Sequence, residues 1–353
     1  MLQDLTLEEW ASLRNTKELT LIDVRSPSEF EEATIPGSLN IPIFDDAERA
    51  EIGTLYKQTS IQAAKERGLE IVSAKLPSFV RSFGRIPGKK AVFCWRGGMR
   101  SRTTATLLSL MDIRVYRLIG GYKAYRKWVI DSLESIPFES PAFILQGLTG
   151  CGKTAVLSAL QEQGAAVLDL ERLAGHRGSI FGHIGLKAHN QKTFDSLLLD
   201  EMLHIHNAPY VIFEAESKRI GKVVLPDFLM RKKEEGTQIL LELPLKARVD
   251  QILKDYRPWE NHDACLLAFH KIKSRIHTPI AAEIEQSLKD SKYDRAVELL
   301  LEYYYDPRYE HSFDQYEPMN KAVIQADSVD EAIQAVEAVI SNKQRAAEDQ
   351  RAH

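Results

Sequence analysis

The 353-residue chain is 44% hydrophobic and 27% charged, with a formal net charge of -4, the balance of a soluble globular protein long enough for two domains. This excludes a disordered or fibrous chain, and no stretch reads as a membrane span. A net negative charge also argues against indiscriminate nucleic-acid binding.

The start, Met1 to Thr6, carries no basic region and no long apolar run, so no secretory signal is read there. Three widely separated cysteines, Cys94, Cys151 and Cys265, show neither metal-ligand spacing nor a disulfide framework. A reducing cytoplasm is the expected setting.

In chain order, the first informative segments are Leu21 to Phe30 and Ile35 to Pro42. Next, a short apolar strand ending at Phe93 breaks into Cys94-Trp95-Arg96-Gly97-Gly98-Met99-Arg100-Ser101, and Leu118 to Tyr122 follows. Backbone N–H groups in such a loop, with Arg96 and Arg100, favour a thiolate and hold an anionic sulfur, selenium or phosphorus species beside it. The bland alternative is a buried cysteine ending a strand; a glycine pair flanked by arginines argues against it. The three ordered segments around the cysteine loop resemble a rhodanese domain. That resemblance implies a chalcogen carried on Cys94 as a persulfide or perselenide. The Cys-x5-Arg spacing is one residue longer than the common rhodanese loop and equals that of phosphatase loops. A phosphatase reading therefore stays open, although Phe93 stands where those loops carry His.

Ser, Glu and Pro collect between Asp131 and Pro141, where the domain boundary is expected after a helical stretch from Tyr122 to Ile130. A strand at 142–146 then leads into Gly147-Leu148-Thr149-Gly150-Cys151-Gly152-Lys153-Thr154, with a helix at 155–163. This is Gly-x4-Gly-Lys-Thr in the strand–loop–helix context a P-loop requires. Backbone amides and the helix N-terminus wrap a phosphate chain, Lys153 reaches the outer phosphate, and the Thr154 hydroxyl suits a magnesium ion. Cys151 serves as a small residue of the loop. His176 to Gly182 offers Arg177, Ser179 and flexible backbone, either to close over a phosphate or as an ordinary surface turn. The strand at 210–213 ends in Glu214 and Glu216, two carboxylates on one side of the strand where a Walker-B acid belongs. The usual residue is Asp, so metal binding stays unknown, and a solvated strand end is the alternative.

Further strands are predicted at 165–169, 238–243 and 322–326, alternating with helices in the rhythm of a parallel α/β sheet. A helix is expected at 245–256. The stretch 263–305 reads as a helical insertion, and an amphipathic helix from Ser328 or Asp330 to about Ile340 closes the chain. The fold class is α/β: an N-terminal rhodanese-like domain (1–132), a P-loop kinase-like parallel α/β domain with a helical insertion (140–341), and a fraying tail (342–353).

Charge is uneven. Between Lys89 and Lys127 ten Lys and Arg stand against the single acid Asp112. Lys89, Lys90, Arg102, Lys123, Arg126 and Lys127 are candidate polyanion contacts, as are Lys218 and Arg219. The cluster Arg231 to Lys233, beside Glu234 and Glu235, reads better as a solvated helix face.

Together, the cysteine loop, the P-loop, Ile52 to Gln58, His176 to Gly182 and Glu214 to Gly221 resemble the bacterial tRNA 2-selenouridine synthase family over nearly the whole chain. The resemblance implies that 2-thiouridine at the wobble position of tRNA is S-geranylated from geranyl diphosphate, and that selenium from selenophosphate then replaces the geranylthio group. It implies tRNA as partner, a selenophosphate-producing enzyme as a candidate partner, and no membrane; a need for Mg2+ stays open. Two rivals also stay open: an ATP-dependent RNA or small-molecule kinase fused to a sulfurtransferase domain, and a non-catalytic binding module.

Overall fold

The computed structural model describes residues 3–13, 19–308 and 320–352. Met1, Leu2 and His353, at the ends of the expected first domain and tail, lie outside the described residues. The chain divides into two compact units, residues 1–136 with 195–199, and residues 137–194 with 200–353.

In the first unit five strands, Gln3–Leu5 (β1), Leu19–Asp23 (β2), Leu39–Asn40 (β3), Lys89–Phe93 (β4) and Tyr116–Leu118 (β5), form a parallel sheet in the order β1-β5-β4-β2-β3. β2 and β4 bury most of their side chains, as sheets covered on both faces require. Their residues Ile22 and Val92 pack with Phe79, Phe83 and Leu108 from flanking helices. β4 is the central strand, so the cysteine loop leaves the sheet at a carboxyl end, where open α/β sheets place their ligands. Two helices, Asp46–Gln58 and Ile61–Gly84, lie between β3 and β4.

The second unit contains Ala142–Gly147 (β6), Val167–Leu168 (β7), Val211–Glu214 (β8), Arg219–Ile220 (β9), Val223–Val224 (β10), Thr237–Glu242 (β11) and Lys321–Gln325 (β12). Five of them form a parallel sheet, β12-β11-β6-β8-β7, again with the loop-bearing strand at its centre. β7 is shorter than the 165–169 expected. β9 and β10 make a separate antiparallel hairpin around Gly221, whose φ of +56° suits the turn. The insertion folds as helices His262–His270, Thr278–Lys289 and Tyr293–Leu300 around a core of Phe269, Ile284 and Leu299.

The closing helix departs from expectation. It runs Val329–Ala352, past the end expected near Ile340. That segment is dense in Ala, Gln, Glu, Lys and Arg, all strong helix formers, so intrinsic propensity carries the helix on after the apolar face ends. Among the described residues no helix is long and apolar enough to cross a membrane.

Candidate functional site

The cysteine loop is assembled by the segments that bracket it in sequence. Tyr122 N–H donates to the Cys94 carbonyl and Lys123 N–H to the Trp95 carbonyl, each at 2.9 Å. Gly121, at φ +56°, lies so close that a Cβ there would stand 2.2 Å from the Cys94 carbonyl oxygen; Gly97, at φ +64°, would meet the Leu118 carbonyl at 2.8 Å. Both positions therefore require glycine. On the other side, Arg25 is buried and donates through Nε and Nη2 to the Asp23 carboxylate, with Nη2 also reaching the Ala33 carbonyl. Its guanidinium lies 4.5 Å from the Tyr122 ring centroid. Asn40 donates to the Asp23 and Arg25 carbonyls, and Thr34 to the Asp23 carboxylate. One buried polar network thus links the segments 21–30, 35–42 and 118–122 to the backbone of Cys94.

Cys94 itself is buried at 3% exposure, with Sγ 3.3 Å from the Ser101 hydroxyl at the start of the helix Met99–Ser109. Trp95, Arg96, Gly98 and Met99 are exposed, and the Trp95 ring leans on Tyr122. Arg100 is not an unshared anion clamp: its guanidinium donates to both carboxylate oxygens of Glu29, at 2.5 and 3.1 Å. Burial penalises the Arg100 charge, but Glu29 and then the charge of Cys94 hold it above the usual arginine value. For Glu29, burial is outweighed by Arg100 and its carboxyl is held below the ordinary range. Arg117, which the sequence reading did not single out, donates to Asp4 and to the Gly97 carbonyl; the Asp4 hydrogen bond, with the charges of Asp4 and Cys94, raises its pKa.

Of the candidate polyanion contacts, Lys89, Arg102, Lys123, Lys127, Lys218 and Arg219 are exposed. Lys90 is not a surface cation: it is 8% exposed and donates to the Gly88 carbonyl, because its position in β4 points inward. Arg126 is half-buried in an ion pair with Asp195 of the same unit, and Lys218 pairs with Asp227.

The phosphate loop joins β6 to the helix Lys153–Glu162. Gly147, Gly150 and Gly152 all have positive φ; a Cβ on Gly147 would meet Cys151 Sγ at 2.5 Å and the Leu241 carbonyl at 2.7 Å. Cys151 is fully buried beneath the loop, and Lys153 Nζ donates to the Gly147 carbonyl at 3.0 Å. A cavity of about 310 Å³ opens over the loop, lined by Thr149 to Thr154 and also by Arg177, Ser179, Glu216 and Lys233. The segment 176–182 therefore lines the phosphate site; Arg177 stacks 4.7 Å from the Tyr256 ring centroid, and the Ser179 and Tyr256 hydroxyls are 3.2 Å apart.

Glu214 does not line this cavity. It is fully buried at the end of β8, where Oε1 accepts from Glu171 N–H at 2.8 Å, and among the described residues Oε2 has no hydrogen-bond partner. Glu171 lines the cavity instead, its Oε2 accepting from the Thr154 hydroxyl at 3.2 Å. Burial and then the charge of Glu216 push Glu171 up to about 8, against the pull of Lys153. Burial, joined by the charges of Asp169, Glu171 and Glu216, pushes Glu214 far up; burial also raises Glu216 and Asp169. At neutral pH Glu171 retains a proton, which a bound cation would displace. Among the described residues no three His, Cys, Asp or Glu are arranged as a metal ligand set. Glu171 and Tyr256 carry no motif in the sequence, and Lys233, expected on a solvated helix face, is half-buried in the cavity wall and donates to the Glu216 carbonyl. Glu171 had one local signal, a carboxylate just past a short apolar strand.

A family model described as the tRNA 2-selenouridine synthase AAA domain matches residues 140–271, and one described as a rhodanese-like domain matches residues 6–127. A tRNA 2-selenouridine synthase of Shewanella piezotolerans is 32% identical over 84% of this chain and 89% of its own length. That of Hahella chejuensis is 33% identical over 82% and 84%, and that of Shewanella frigidimarina 30% identical over 87% and 91%.

Proposed function

This chain belongs to the tRNA 2-selenouridine synthase family, and on that premise we propose that it converts wobble 2-thiouridine in tRNA to 2-selenouridine in two steps, one on each unit. In the first, the sulfur of 2-thiouridine attacks C1 of geranyl diphosphate. The S–C1 bond forms, the C1–O bond breaks, and diphosphate leaves. In the second, the C2–Se bond forms and the C2–S bond breaks, geranylthiol departs with a proton, and water opens the P–Se bond of selenophosphate to release phosphate. A thioether on the pyrimidine leaves more readily than a thiocarbonyl sulfur, which is the chemical reason for the first step.

The observation that carries this reading is a cavity over the phosphate loop on one unit and, on the other, a cysteine loop whose charge acts on two guanidinium groups. The phosphate loop holds the diphosphate in the first step: its backbone amides, Lys153, Arg177 and Lys233 face one cavity, and cations aimed at the leaving oxygens stabilise charge as it develops. Cys94 serves the second step as nucleophile: its thiolate attacks C2 as the bond to geranylthiol breaks, and selenium then attacks C2 as the bond to Cys94 breaks and the thiolate is restored, with Arg100 and Arg117 the guanidinium groups that feel its charge. Thr154 and Glu171 fit a Mg2+ ion that shares its shell with a diphosphate; such an ion would neutralise charge on the leaving group. The exposed cations Lys89, Arg96, Arg102, Lys123 and Lys127 are the tRNA contacts we assign to the first unit, and Arg219 the one in the second. A selenophosphate-producing enzyme is the expected supplier, and the cytoplasm the expected site of action.

Two variants separate the halves. Lys153→Ala is expected to lose geranyl transfer at least ~100-fold, the scale set by deleting one charge-stabilising donor, while S-geranyl tRNA supplied directly is still selenated. Cys94→Ala is expected to accumulate S-geranyl tRNA. Unimpaired geranyl transfer by Lys153→Ala, or 2-selenouridine from Cys94→Ala, overturns the corresponding half.

A further inference from the structure

Beside the phosphate loop lies a second cavity of opposite character. It measures about 60 Å³ and shares Thr149, Ile252 and Tyr256 with the phosphate cavity. Its remaining walls come largely from the helical insertion and include Phe181, Cys265, Leu288, Val297, Leu300 and Tyr305. We propose that this apolar cavity receives the terpenyl chain of an allylic diphosphate whose head is held by the phosphate loop. The proposal rests on reading that loop as the geranylation site and adds to it a place for the hydrocarbon.

Three features support that occupant. First, two of the hydroxyls in these walls are already engaged: the Tyr256 hydroxyl faces Ser179 at 3.2 Å, and the Tyr293 hydroxyl is 2.9 Å from His262 Nδ1. A nucleobase and ribose would leave their own polar atoms unpaired there, whereas a hydrocarbon leaves none. Second, the size suits a short chain. At ~10–15 Å³ per water-sized body the cavity takes roughly four to six, enough for the outer part of a short terpenyl group. Third, the apolar wall is tied to the phosphate loop. Arg248, 4% exposed, donates through Nε to the Thr149 carbonyl and through both terminal nitrogens to Asp306, just past the last helical turns of the insertion. That ion pair, with its arginine buried, fixes where the tail pocket stands relative to the head pocket. Cys265, whose thiol burial pushes up to about 11, adds a neutral wall atom.

The test is calorimetric titration of the whole chain with geranyl diphosphate and, separately, with inorganic pyrophosphate. Wild type is expected to bind geranyl diphosphate at least ~100-fold more tightly, since the tail removes apolar surface from water. Val297→Phe fills the cavity from a half-buried position, and Tyr305→Ala opens its wall. Each is expected to lose at least ~10-fold of the affinity for geranyl diphosphate and to leave pyrophosphate within about twofold. Should filling disturb the fold and remove pyrophosphate binding, Tyr305→Ala decides. Unchanged geranyl diphosphate affinity in the variants, with Lys153→Ala still weakening both ligands, overturns the tail pocket and leaves the geranylation site standing. Geranyl diphosphate bound no more tightly than pyrophosphate by wild type, with no geranyl transfer, overturns the geranylation reading and the pocket together.

Discussion

Replacing Arg25 by Met tests how the first unit is held together and why its signature segments converge on Cys94. Arg25 is 2% exposed and Asp23 is fully buried. In the variant the Asp23 carboxylate keeps its hydrogen bonds from Thr34 and the Arg25 N–H but loses its only charge partner named in this network. Breaking a buried pair from one side costs ~3–5 kcal/mol, because the surviving charge stays desolvated without compensation. The lost stacking on Tyr122 falls within that range. The double variant Asp23→Asn with Arg25→Met keeps an acceptor for Thr34 and removes the stranded charge, so it is expected to regain at least half of the loss. Three of the four tryptophans, Trp10, Trp95 and Trp128, lie in the first unit. In a Trp259→Phe background, urea unfolding followed by fluorescence therefore reports that unit alone, which keeps the analysis close to two-state. A loss below ~1 kcal/mol in Arg25→Met, or no recovery in the double variant, refutes the reasoning.

Two further outcomes follow from the same geometry. Gly121→Ala places a Cβ 2.2 Å from the Cys94 carbonyl at a left-handed backbone position; selenation of S-geranyl tRNA should fall at least ~10-fold with geranyl transfer intact, and an unaffected rate would show that the cysteine loop tolerates displacement. Glu171, raised to about 8 from 4.5 by burial and by Glu216, stays protonated in the folded chain where the unfolded chain has ionised. Stability of the second unit should therefore decline as pH rises from about 4.5 to about 8, and Glu171→Gln should flatten that decline in calorimetric scans. Parallel pH profiles for wild type and variant would remove Glu171 as the cause.

The sequence revealed those parts of the sites that are written locally. The phosphate loop is legible because its glycines, lysine and threonine are contiguous and all serve one turn. The cysteine loop is legible because the segments that clamp it each carry residues with a single structural use, such as Gly121 against the Cys94 carbonyl and Arg25 against Asp23. What escaped was long-range. Glu29 meets Arg100 across 71 positions, Tyr256 reaches Ser179 across 77, and no periodicity announces either pairing. The strand end also has a different role: Glu214 reads as the accessible acid, yet the end of β8 is buried, and Glu171, in the short helix that follows β7, faces Thr154 instead. Lys90 counted as a cation in sequence but points inward, because strand direction, not charge, decides which side it occupies. The apolar cavity could not be foreseen at all, since its walls are drawn from residue 149 to residue 305.

The measurement that bears most directly on the two-step account is a nucleoside analysis by mass spectrometry after incubating the protein with 2-thiouridine tRNA and selenophosphate, with and without geranyl diphosphate. The account predicts 2-selenouridine only when geranyl diphosphate is present, with S-geranyl-2-thiouridine rising and falling before it. Equal formation of 2-selenouridine in its absence would contradict the account, because selenium would then displace sulfur without the thioether on which the division between the two sites depends.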